Sequence, residues 1–316
     1  MPLFINERDV SEILTMDLAL ETVEQAFRLM GEGTADNHPR ARISLPKGPL
    51  NFMCAAAPGA GVMGLKVYGV IDGLPGRPYV QLISTDTGEL LALMEAGVLG
   101  QVRTGAASGI ATKYMAKEDS TSVGIIGSGQ QAQTQLEAIC NVRKINEVKV
   151  FSRTSERREL FAKQMTDKLG TQITPVNSAE DCVRNVDIII TITSPPKPVL
   201  SGEWIPKGAH INAAGANNWT RLELDNEAIK RSNIIVADDV EQAKLECGDL
   251  LYPIERGVLR WDQVSNLSDV VNDRVKGRSS NNDITLFESQ GLGIQDITTG
   301  LRIYEIAKEV GKGSTF

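Results

Sequence analysis

The chain has 316 residues, which at roughly 100–200 residues per domain predicts two domains. Its 33 Lys and Arg against 40 Asp and Glu give a net charge of -7, which argues against nucleic acid as a partner. Hydrophobic residues make up 41% and charged residues 23%, so the chain can bury a large core and is not expected to be disordered.

Cysteine and histidine are sparse. The four cysteines lie far apart without a CxxC pair, which argues against a zinc site and against a disulfide framework. Of the two histidines, His210 at a strand start is interpreted as structural and His38 as exposed. There is no apolar signal core at the N-terminus and no stretch of 18 apolar residues. We therefore expect a cytoplasmic protein with no metal site and no membrane partner.

The N-terminal part predicts an α+β domain. Residues 9–32 have the apolar spacing of one or two amphipathic helices, broken around Thr15–Asp17. Short apolar runs between Gly, Pro and Asp turns then predict a β-meander, and residues 97–116 predict a helix of small residues. The runs of the meander are 50–56, 65–70, 79–84 and 90–95, with a turn at 72–76.

After residue 117 strands and helices alternate, which predicts βαβ units and a parallel sheet. This pattern ends near 285–292, and residues 295–308 predict a closing helix followed by a frayed tail of five residues. The predicted strands are 122–126, 147–152, 186–193, 210–214 and 234–237, and the predicted helices begin at 127 and 156.

The most specific local motif begins where the strand over 122–126 ends. Gly127, Gly129 and Ala132 fit the G-x-G-x-x-G/A pattern, in which the first glycine allows a tight turn and the second lets a pyrophosphate approach the backbone. The following helix would present free N–H groups and its positive dipole end to the phosphates. A strand–helix turn without a ligand is the alternative. Cofactor contacts are predicted from Gly127, Ser128, Gly129, Gln130, Gln131 and Ala132.

The segment that follows the predicted strand 147–152 indicates which nicotinamide cofactor binds. An acid there would hold the ribose 2′-hydroxyl of NAD, but no acid stands at the tip of this strand. An arginine beside hydroxyls can instead bind a 2′-phosphate. NADP(H) is therefore favoured over NAD(H), with contacts predicted from Ser152, Arg153, Thr154 and Arg157. The alternative is that Arg157 and Arg158 are solvated helix residues paired with neighbouring glutamates.

Three segments of the N-terminal domain carry cations where burial would be costly. Arg40 and Arg42 precede a predicted strand. Lys66 lies in an otherwise apolar run, and Arg103 begins a helix of small residues. Arginine can bind a carboxylate through two hydrogen bonds, and lysine can donate to a carbonyl or an imine-derived nitrogen. The lysine alone could equally face solvent, but together these cations predict an anionic substrate.

These residues and motifs resemble the ornithine cyclodeaminase/mu-crystallin family. The matching stretches run in the family's order from about residue 40 to 300, so the resemblance covers nearly the whole chain. The run 103–108, Arg-Thr-Gly-Ala-Ala-Ser, is specific when it is coupled to the glycine loop. The other matching stretches are 64–68, 215–217 with 223–225, and 286–291 with 295–296.

The resemblance implies an α/β protein in which a Rossmann dinucleotide-binding domain is inserted in an α+β substrate-binding and dimerisation domain. The boundaries expected are 1–117 with 286–316 for the substrate domain, and 118–285 for the Rossmann domain. Family members are homodimers that use a nicotinamide cofactor on small α-amino acids, α-keto acids or cyclic imines.

The resemblance also implies roles for single residues. One arginine of the Arg40 and Arg42 pair and Arg103 would bind the substrate carboxylate. Lys66 would be the catalytic lysine. Four further cofactor contacts are implied, at Thr104, Thr193, Ser194 and Ser289.

One position departs from the cyclodeaminases of this family. They carry an aspartate where this chain has Asn217. An amide can orient a substrate through hydrogen bonds, but it cannot act as a general base at neutral pH. Asn217 is therefore assigned an orienting role, and imine reduction is favoured over cyclodeamination, which stays open because Lys66 or a nearby acid could substitute for the aspartate.

The sequence thus predicts an NAD(P)H-dependent reductase of a small α-imino or α-keto carboxylate. Candidate reactions are reduction of a cyclic ketimine such as pyrroline-2-carboxylate, alanine dehydrogenation and iminosuccinate reduction. Two alternatives remain. The first is an ornithine cyclodeaminase that forms proline and ammonia, and the second is a mu-crystallin-like protein that binds a small ligand without catalysis.

Overall fold

The computed structural model describes residues 1–72, 74 and 76–316. The chain forms two compact units. Unit 1 comprises Met1–Arg103 with Gly291–Phe316, and unit 2 comprises Thr104–Gln290. Unit 2 is therefore inserted in unit 1, and the predicted fold class is confirmed.

The elements of the first third follow the predicted order. Thr15 caps the second helix by accepting a hydrogen bond from the Leu18 N–H, which accounts for the predicted break between two helices. The predicted turn at 72–76 includes Gly73 and Pro75, which lie outside the described residues. The elements are β1 (Leu3–Ile5), α1 (Glu7–Ile13), α2 (Met16–Glu32), β2 (Asp36–Asn37), β3 (Ala41–Ile43), β4 (Leu50–Ala57), β5 (Val62–Gly69), β6 (Tyr79–Ser84), β7 (Leu90–Glu95) and α3 (Gly97–Met115).

Strands and helices alternate in the rest of the chain until a long helix near the C-terminus. In chain order the elements are β8 (Ser122–Ile126), α4 (Gln130–Val142), β9 (Glu147–Phe151), α5 (Ser155–Leu169), β10 (Gln172–Pro175), α6 (Ala179–Val183), β11 (Ile188–Thr191), β12 (His210–Ala213), α7 (Asn226–Arg231), β13 (Ile234–Ala237), α8 (Val240–Glu246), α9 (Gly248–Glu255), β14 (Val264–Asn266), α10 (Leu267–Val271), β15 (Thr285–Glu288), α11 (Gly293–Val310) and β16 (Ser314–Thr315).

Unit 1 is a sheet with helices packed on one face. The strands β4 to β7 form the predicted antiparallel meander, and β1 adds to it in parallel beside β7. Helix α11 packs on β4, β5 and β6 and against α2, where the hydroxyls of Thr22 and Thr299 are 2.9 Å apart. Because side chains alternate along a strand, Val62, Gly64 and Lys66 of β5 share the face that α11 covers.

Unit 2 is a parallel sheet with the Rossmann strand order. Its strands run β10-β9-β8-β11-β12-β15-β13-β14 among the described residues. The first five reproduce the order 3-2-1-4-5 of a doubly wound fold, with the glycine loop leaving the first strand of the unit. The apolar run of β11, Ile188–Thr191, is buried throughout, as expected of a strand covered on both faces.

The division between the units differs from the expected boundaries. The units separate at Arg103/Thr104 and at Gln290/Gly291 rather than near 117 and 285, because α3 begins in unit 1 and ends in unit 2. The strand pattern ends near 285–292 as expected, but leaving its last strand unpredicted was wrong. Thr285–Glu288 forms a strand that pairs in parallel with both β12 and β13.

The predicted fraying of the C-terminal tail was also wrong. Ser314 and Thr315 pair with Phe4 and Leu3 of β1 in antiparallel register. Gly311 and Gly313 have φ of +67° and +82°, so they allow the chain to leave α11 and turn back to the sheet edge.

Candidate active site

Three cations are buried together in unit 1. Arg40, Lys66 and Arg103 are 6%, 6% and 5% exposed. Lys66 lies in β5 opposite the buried Met53 of β4 and Val80 of β6, and Arg103 lies in the first half of α3. Burial of charged groups is costly unless they are paired and hydrogen-bonded. The alternative that Lys66 faces solvent is therefore wrong.

One buried carboxylate joins two of these cations. Asp296 Oδ1 is 2.9 Å from Lys66 Nζ and 3.0 Å from Arg103 Nε, and Asp296 is completely buried. Arg103 Nη1 also donates to Gln295 Oε1 at 2.8 Å. Asp296 lies in the first turn of α11, where the helix dipole favours an anion.

Two glycines leave room for the cations. A Cβ atom on Gly100 would lie 2.9 Å from Lys66 Nζ, and one on Gly291 would lie 2.7 Å from Arg103 Nη1. Gly100 stands inside a helix, where glycine costs about 1 kcal/mol relative to alanine. The space that it provides for the lysine head group explains why a poor helix former fits at this position.

The environment of Lys66 lowers the affinity of its amine for the proton. Burial lowers the pKa of Lys66 to about 8, with Arg103 and Arg40 acting in the same direction and Asp296 opposing them. A lysine with a pKa near the working pH can both donate and accept a proton, which suits a general acid or base.

The structure separates the two arginines that the sequence left as alternatives. Arg40 is buried, and its Nη2 donates to Gly291 O at 3.1 Å. Arg42 is exposed on β3, opposite Asn51 of β4. Arg40 is therefore the member of the pair that lies close to Lys66 and lowers its pKa.

The glycine loop of unit 2 has the backbone that a dinucleotide requires. Gly127 has φ of +124°, and a Cβ atom there would lie 2.4 Å from Ile192 O, so only glycine fits. A Cβ atom on Gly129 would meet nothing within 4 Å, which leaves open space above the turn. Gly129 caps α4 without a side-chain hydrogen bond, and the first N–H groups of the helix can bind a phosphate.

The other predicted loop residues have different surroundings. Ser128 is half-buried and Ala132 is fully buried, whereas Gln130 and Gln131 are exposed at the start of α4. Ala132 packs in the hydrophobic core under the sheet, which is the close helix–strand contact that a small residue permits.

The segment after β9 presents hydroxyls and arginines. Ser128 Oγ donates to Ser152 Oγ at 2.8 Å, so this segment adjoins the glycine loop. Arg153, Thr154 and Arg157 are exposed. Arg158 is the structural arginine of this segment, because it donates to Ser152 O at 3.0 Å and to Asn177 Oδ1 at 2.7 Å.

Three of the remaining predicted cofactor residues also follow the carboxyl ends of strands of unit 2, where doubly wound folds bind ligands. Thr193 and the exposed Ser194 follow β11, and Ser289 follows β15 with its N–H donating to Ala213 O at 2.9 Å. Thr104 lies in α3 and accepts a hydrogen bond from Gln135 of α4 at 3.1 Å. The exposed Asn217 lies in the loop after β12.

A buried glutamate organises two of these loops and was missed as a functional residue. Glu223 Oε1 accepts from Thr193 N at 2.7 Å and Thr193 Oγ1 at 2.6 Å, and Oε2 accepts from Gly215 N at 2.8 Å. Asp249 Oδ1 in turn accepts the N–H groups of Glu223 and Leu224, both at 2.9 Å. The sequence does contain an indication of this role, because Glu223 is an acid between two leucines, eight residues after Gly215.

Asp296 and Gln295 were quoted for the resemblance but were not assigned a role. The sequence does contain an indication of a role for Asp296, because it is the single charged residue between Gly291 and Gly300. Three cations that must be buried in one domain require a buried anion, and this position supplies it.

Of the two histidines, one is buried and one is exposed. His210 is fully buried, its Nδ1 lies 2.9 Å from Thr285 Oγ1, and burial lowers its pKa to about 3, so it stays neutral. The exposed His38 lies between β2 and β3. Within 1–72, 74 and 76–316, no group of three or more His, Cys, Asp and Glu residues is suited to hold a metal ion. No helix of that part is long and apolar enough to cross a membrane.

Comparison with known proteins identifies the family. The pattern of the ornithine cyclodeaminase/mu-crystallin family matches residues 2–311. The chain belongs to the ornithine cyclodeaminase/mu-crystallin family. The resemblance inferred from the motifs at 64–68, 103–108 and 127–132 is therefore confirmed.

Relatives within this family are similar over their whole length. Alanine dehydrogenase of Archaeoglobus fulgidus is 36% identical, with 99% of this chain and 98% of that protein covered. The structure of Thermococcus litoralis Δ1-pyrroline-2-carboxylate reductase in complex with NADH and L-proline has a TM-score of 0.95 and 36% identity, covering 99% and 100% of the two chains. An archaeal alanine dehydrogenase dimer with bound NAD has a TM-score of 0.94 and 36% identity, covering 100% and 98%.

Proposed function

We propose that this protein is an NAD(P)H-dependent reductase of a small α-imino or α-keto carboxylate. The observation that carries the proposal is the cluster of three buried cations, of which Lys66 and Arg103 share the carboxylate of Asp296. Positive charge is in excess among the buried groups of this cluster, which suits an anionic substrate. The same chain carries a dinucleotide loop, and its relatives named above include an alanine dehydrogenase and an imine reductase.

The cations of unit 1 would divide the work on the substrate. Arg40 and Arg103 bind the substrate carboxylate, because both guanidinium groups are buried and can donate several hydrogen bonds. Lys66 donates its proton to the substrate nitrogen or oxygen as the double bond is reduced. The product then holds one added hydride on carbon and one added proton on the heteroatom.

The residues of unit 2 would hold the cofactor, which supplies the hydride when it is bound. The N–H groups after Gly129 bind the pyrophosphate, and the open space above Gly129 accommodates it. Further contacts come from Thr104, Thr193, Ser194 and Ser289. Asn217 orients the substrate through its amide, and with an amide at this position imine reduction is favoured over cyclodeamination.

The proposal is tested by following the absorbance of reduced nicotinamide with a panel of substrates. The panel contains pyrroline-2-carboxylate, piperideine-2-carboxylate, pyruvate with ammonia, and iminosuccinate. Lys66→Met should abolish turnover and leave cofactor binding unchanged, whereas Lys47→Met, at an exposed lysine of the same unit, should match the wild type. Equal turnover of the Lys66→Met variant would contradict the proposed role of the lysine.

Two other outcomes identify the alternatives. Release of ammonia and formation of proline from ornithine, without reduction of any imine in the panel, would identify a cyclodeaminase. Binding of a small ligand and cofactor without turnover of any substrate would identify a binding protein. The retention of Lys66 favours an enzyme, because a binding protein does not require a proton donor.

We propose NADP(H) as the preferred cofactor, although the two structures compared above hold NADH and NAD. Ser152, Arg153, Thr154 and Arg157 would surround a 2′-phosphate, and no acid stands among them. Arg153→Ala should lower kcat/KM for NADPH more than for NADH. Arg184→Ala, which removes an arginine exposed elsewhere in unit 2, should change neither value. A wild-type preference for NADH would overturn this assignment.

A homodimer is proposed from the outer face of the unit 1 sheet. Phe52, Met63, Leu65 and Ile83 lie half-buried on the face opposite α11. One relative forms a dimer, and a second copy of this chain would cover these apolar side chains. Light scattering should give about twice the chain mass of 34.2 kDa. Leu65→Glu should shift the mass towards the monomer, whereas Leu160→Glu, at an exposed leucine of α5, should not. The cytoplasmic location stays a prediction.

A further inference from the structure

Asp296 lies on the buried side of Lys66 and Arg103, away from the surface that a substrate could reach. Its Oδ1 takes the hydrogen bonds of Lys66 Nζ and Arg103 Nε, and its Oδ2 is buried with no partner among the described residues. Asp296 has no exposed surface, whereas Lys66 and Arg103 keep a small exposed fraction. A substrate can therefore meet the two cations but not the carboxylate that links them.

The shared oxygen fixes the geometry of both cations. Arg103 is held at two points of its guanidinium, by Asp296 through Nε and by Gln295 through Nη1, so its Nη2 is the nitrogen that makes no hydrogen bond with the described residues. Lys66 is confined on the other side by Gly100, where a Cβ atom would lie only 2.9 Å from the ammonium nitrogen. Neither cation can turn away without breaking its hydrogen bond to Asp296.

The charge of Asp296 also opposes the two arginines that lie near Lys66. Arg103 of α3 and Arg40, which precedes β3, both carry positive charge towards the ammonium. The Tyr68 ring of β5 lies 5.7 Å from Nζ, at the distance of a weak cation–π contact that favours the ammonium. Burial disfavours the charged lysine as well, so the carboxylate of α11 is the group of full opposite charge that stabilises the ammonium.

We propose that Asp296 is the positioning residue of the reaction: through one oxygen it keeps Lys66 protonated and aligned beside Arg103, so that the lysine can donate to the substrate while the arginine binds its carboxylate. This inference rests on the proposed reductase function for the identity of the substrate. Asp296 acts only through the two cations and does not touch the reacting atoms.

The consequence is a specific pH behaviour. Without the negative charge, Lys66 would face two arginines and a buried environment with only the weak contact to the Tyr68 ring in support, and its pKa would fall below the wild-type value of about 8. Imine reduction needs the protonated lysine, so the pH at which kcat/KM declines should fall with it. An opposite charge at this distance shifts a pKa by about 1–3 units, which sets the size of the expected displacement.

The experiment compares Asp296→Asn, Asp296→Glu and the wild type. In the wild type, kcat/KM for imine reduction should decline with a midpoint near pH 8. In Asp296→Asn the midpoint should move down by about 1–3 pH units, and Asp296→Glu should restore it at least in part. Glu305→Gln removes an exposed carboxylate from the same helix and should leave the profile unchanged. A uniform loss of activity at all pH values in Asp296→Asn, with the midpoint unmoved, would reduce Asp296 to a structural role.

A second measurement does not depend on turnover. In protein labelled with 13C at the lysine ε-carbon, the Lys66 signal is identified by its loss in Lys66→Met, and its titration is followed directly. Lys66 in the wild type should titrate near pH 8 and in Asp296→Asn at lower pH. Equal titration in the two proteins, or a wild-type Lys66 already neutral at about pH 6, would overturn the inference. If no substrate in the panel is reduced, the proposed function fails while this titration still decides the role of Asp296.

Discussion

Glu223 Oε2 accepts the N–H of Gly215 at 2.8 Å, and a Cβ atom on Gly215 would come within 2.7 Å of the other oxygen of the same carboxylate. The pair ties the loop after β12 to the loop after β11, because Glu223 also accepts from Thr193. The two loops that carry Ser194 and Asn217 are therefore held by a single buried side chain.

Replacing Glu223 with Gln should loosen both loops. A glutamine has one acceptor oxygen where the glutamate has two, and its NH2 group would face an N–H donor of Thr193 or Gly215. A buried donor without an acceptor costs about 1–3 kcal/mol, so urea denaturation should show a loss of that size in the free energy of unfolding. The affinity for NADPH should fall as well. Glu255→Gln, at an exposed site of unit 2, is the matched control, and an unfolding curve equal to it would contradict the role of Glu223.

Alanine at the two glycines of the cofactor loop should have separate effects. Gly127→Ala places a side chain against Ile192 O at a φ of +124°, so it should destabilise the fold by about 1–3 kcal/mol or more. Gly129→Ala enters open space at an ordinary φ of -80°, so stability should change by no more than about 1 kcal/mol. Its Cβ atom would occupy the space proposed for the pyrophosphate. Cofactor titration by fluorescence should therefore show a marked loss of affinity in Gly129→Ala, and retained affinity would refute the proposed phosphate site.

The buried carboxyl group of Asp249 should make stability depend on pH. Burial, together with the nearby Glu223, raises the pKa of Asp249 from 3.8 to about 8. Between these values the folded chain holds a proton that the unfolded chain has lost, so the free energy of unfolding should fall as pH rises through this window. Asp249→Asn keeps an oxygen that can accept from Glu223 N and Leu224 N, and it should give a shallower dependence.

The measurement is urea denaturation at several pH values within that window. Asp262→Asn removes an exposed carboxylate of the same unit and should leave the slope at the wild-type value. If Asp249→Asn and the wild type have the same slope, Asp249 is ionised in the folded protein.

Arg40 and Arg42 should differ in their effect on substrate binding. Arg40 is buried beside Lys66, whereas Arg42 is exposed on β3. A charged hydrogen bond to a carboxylate contributes about 1.5–3 kcal/mol, so Arg40→Ala should lower kcat/KM for the imino acid about 10- to 100-fold. Arg42→Ala should stay near the wild-type value. The reverse ranking would show that the buried arginine does not bind the substrate.

Much of the fold follows from local patterns in the sequence. The strand Ser122–Ile126 and the strand Tyr79–Ser84 have the bounds that their apolar runs predict, because turn residues delimit both. The strand Thr285–Glu288 could not be predicted from local patterns. Its place between β12 and β13 depends on pairing with segments that are remote in the chain. The tail was misjudged for the same reason, because the partner of Ser314 lies at the opposite end of the sequence.

The candidate site was predictable where one residue carries the signal. Lys66 and Arg103 are charges in apolar or small-residue segments, and Gly127 belongs to a motif with fixed spacing. Asp296 and Glu223 were not assigned roles, because each acts through partners that are brought near only by tertiary structure: Lys66 is 230 positions from Asp296. The choice between Arg40 and Arg42 likewise depends on which side chain is buried. The sequence does not reveal this for two arginines that are separated by one residue.

The pairing of β16 with β1 places residues 314–315 beside residues 3–4. Thr315 lies opposite Leu3 in adjacent strands, which are about 4.8 Å apart. Without β16, backbone N–H and C=O groups of β1 would lie unpaired at the edge of the sheet. This short strand therefore protects β1 from pairing with another chain.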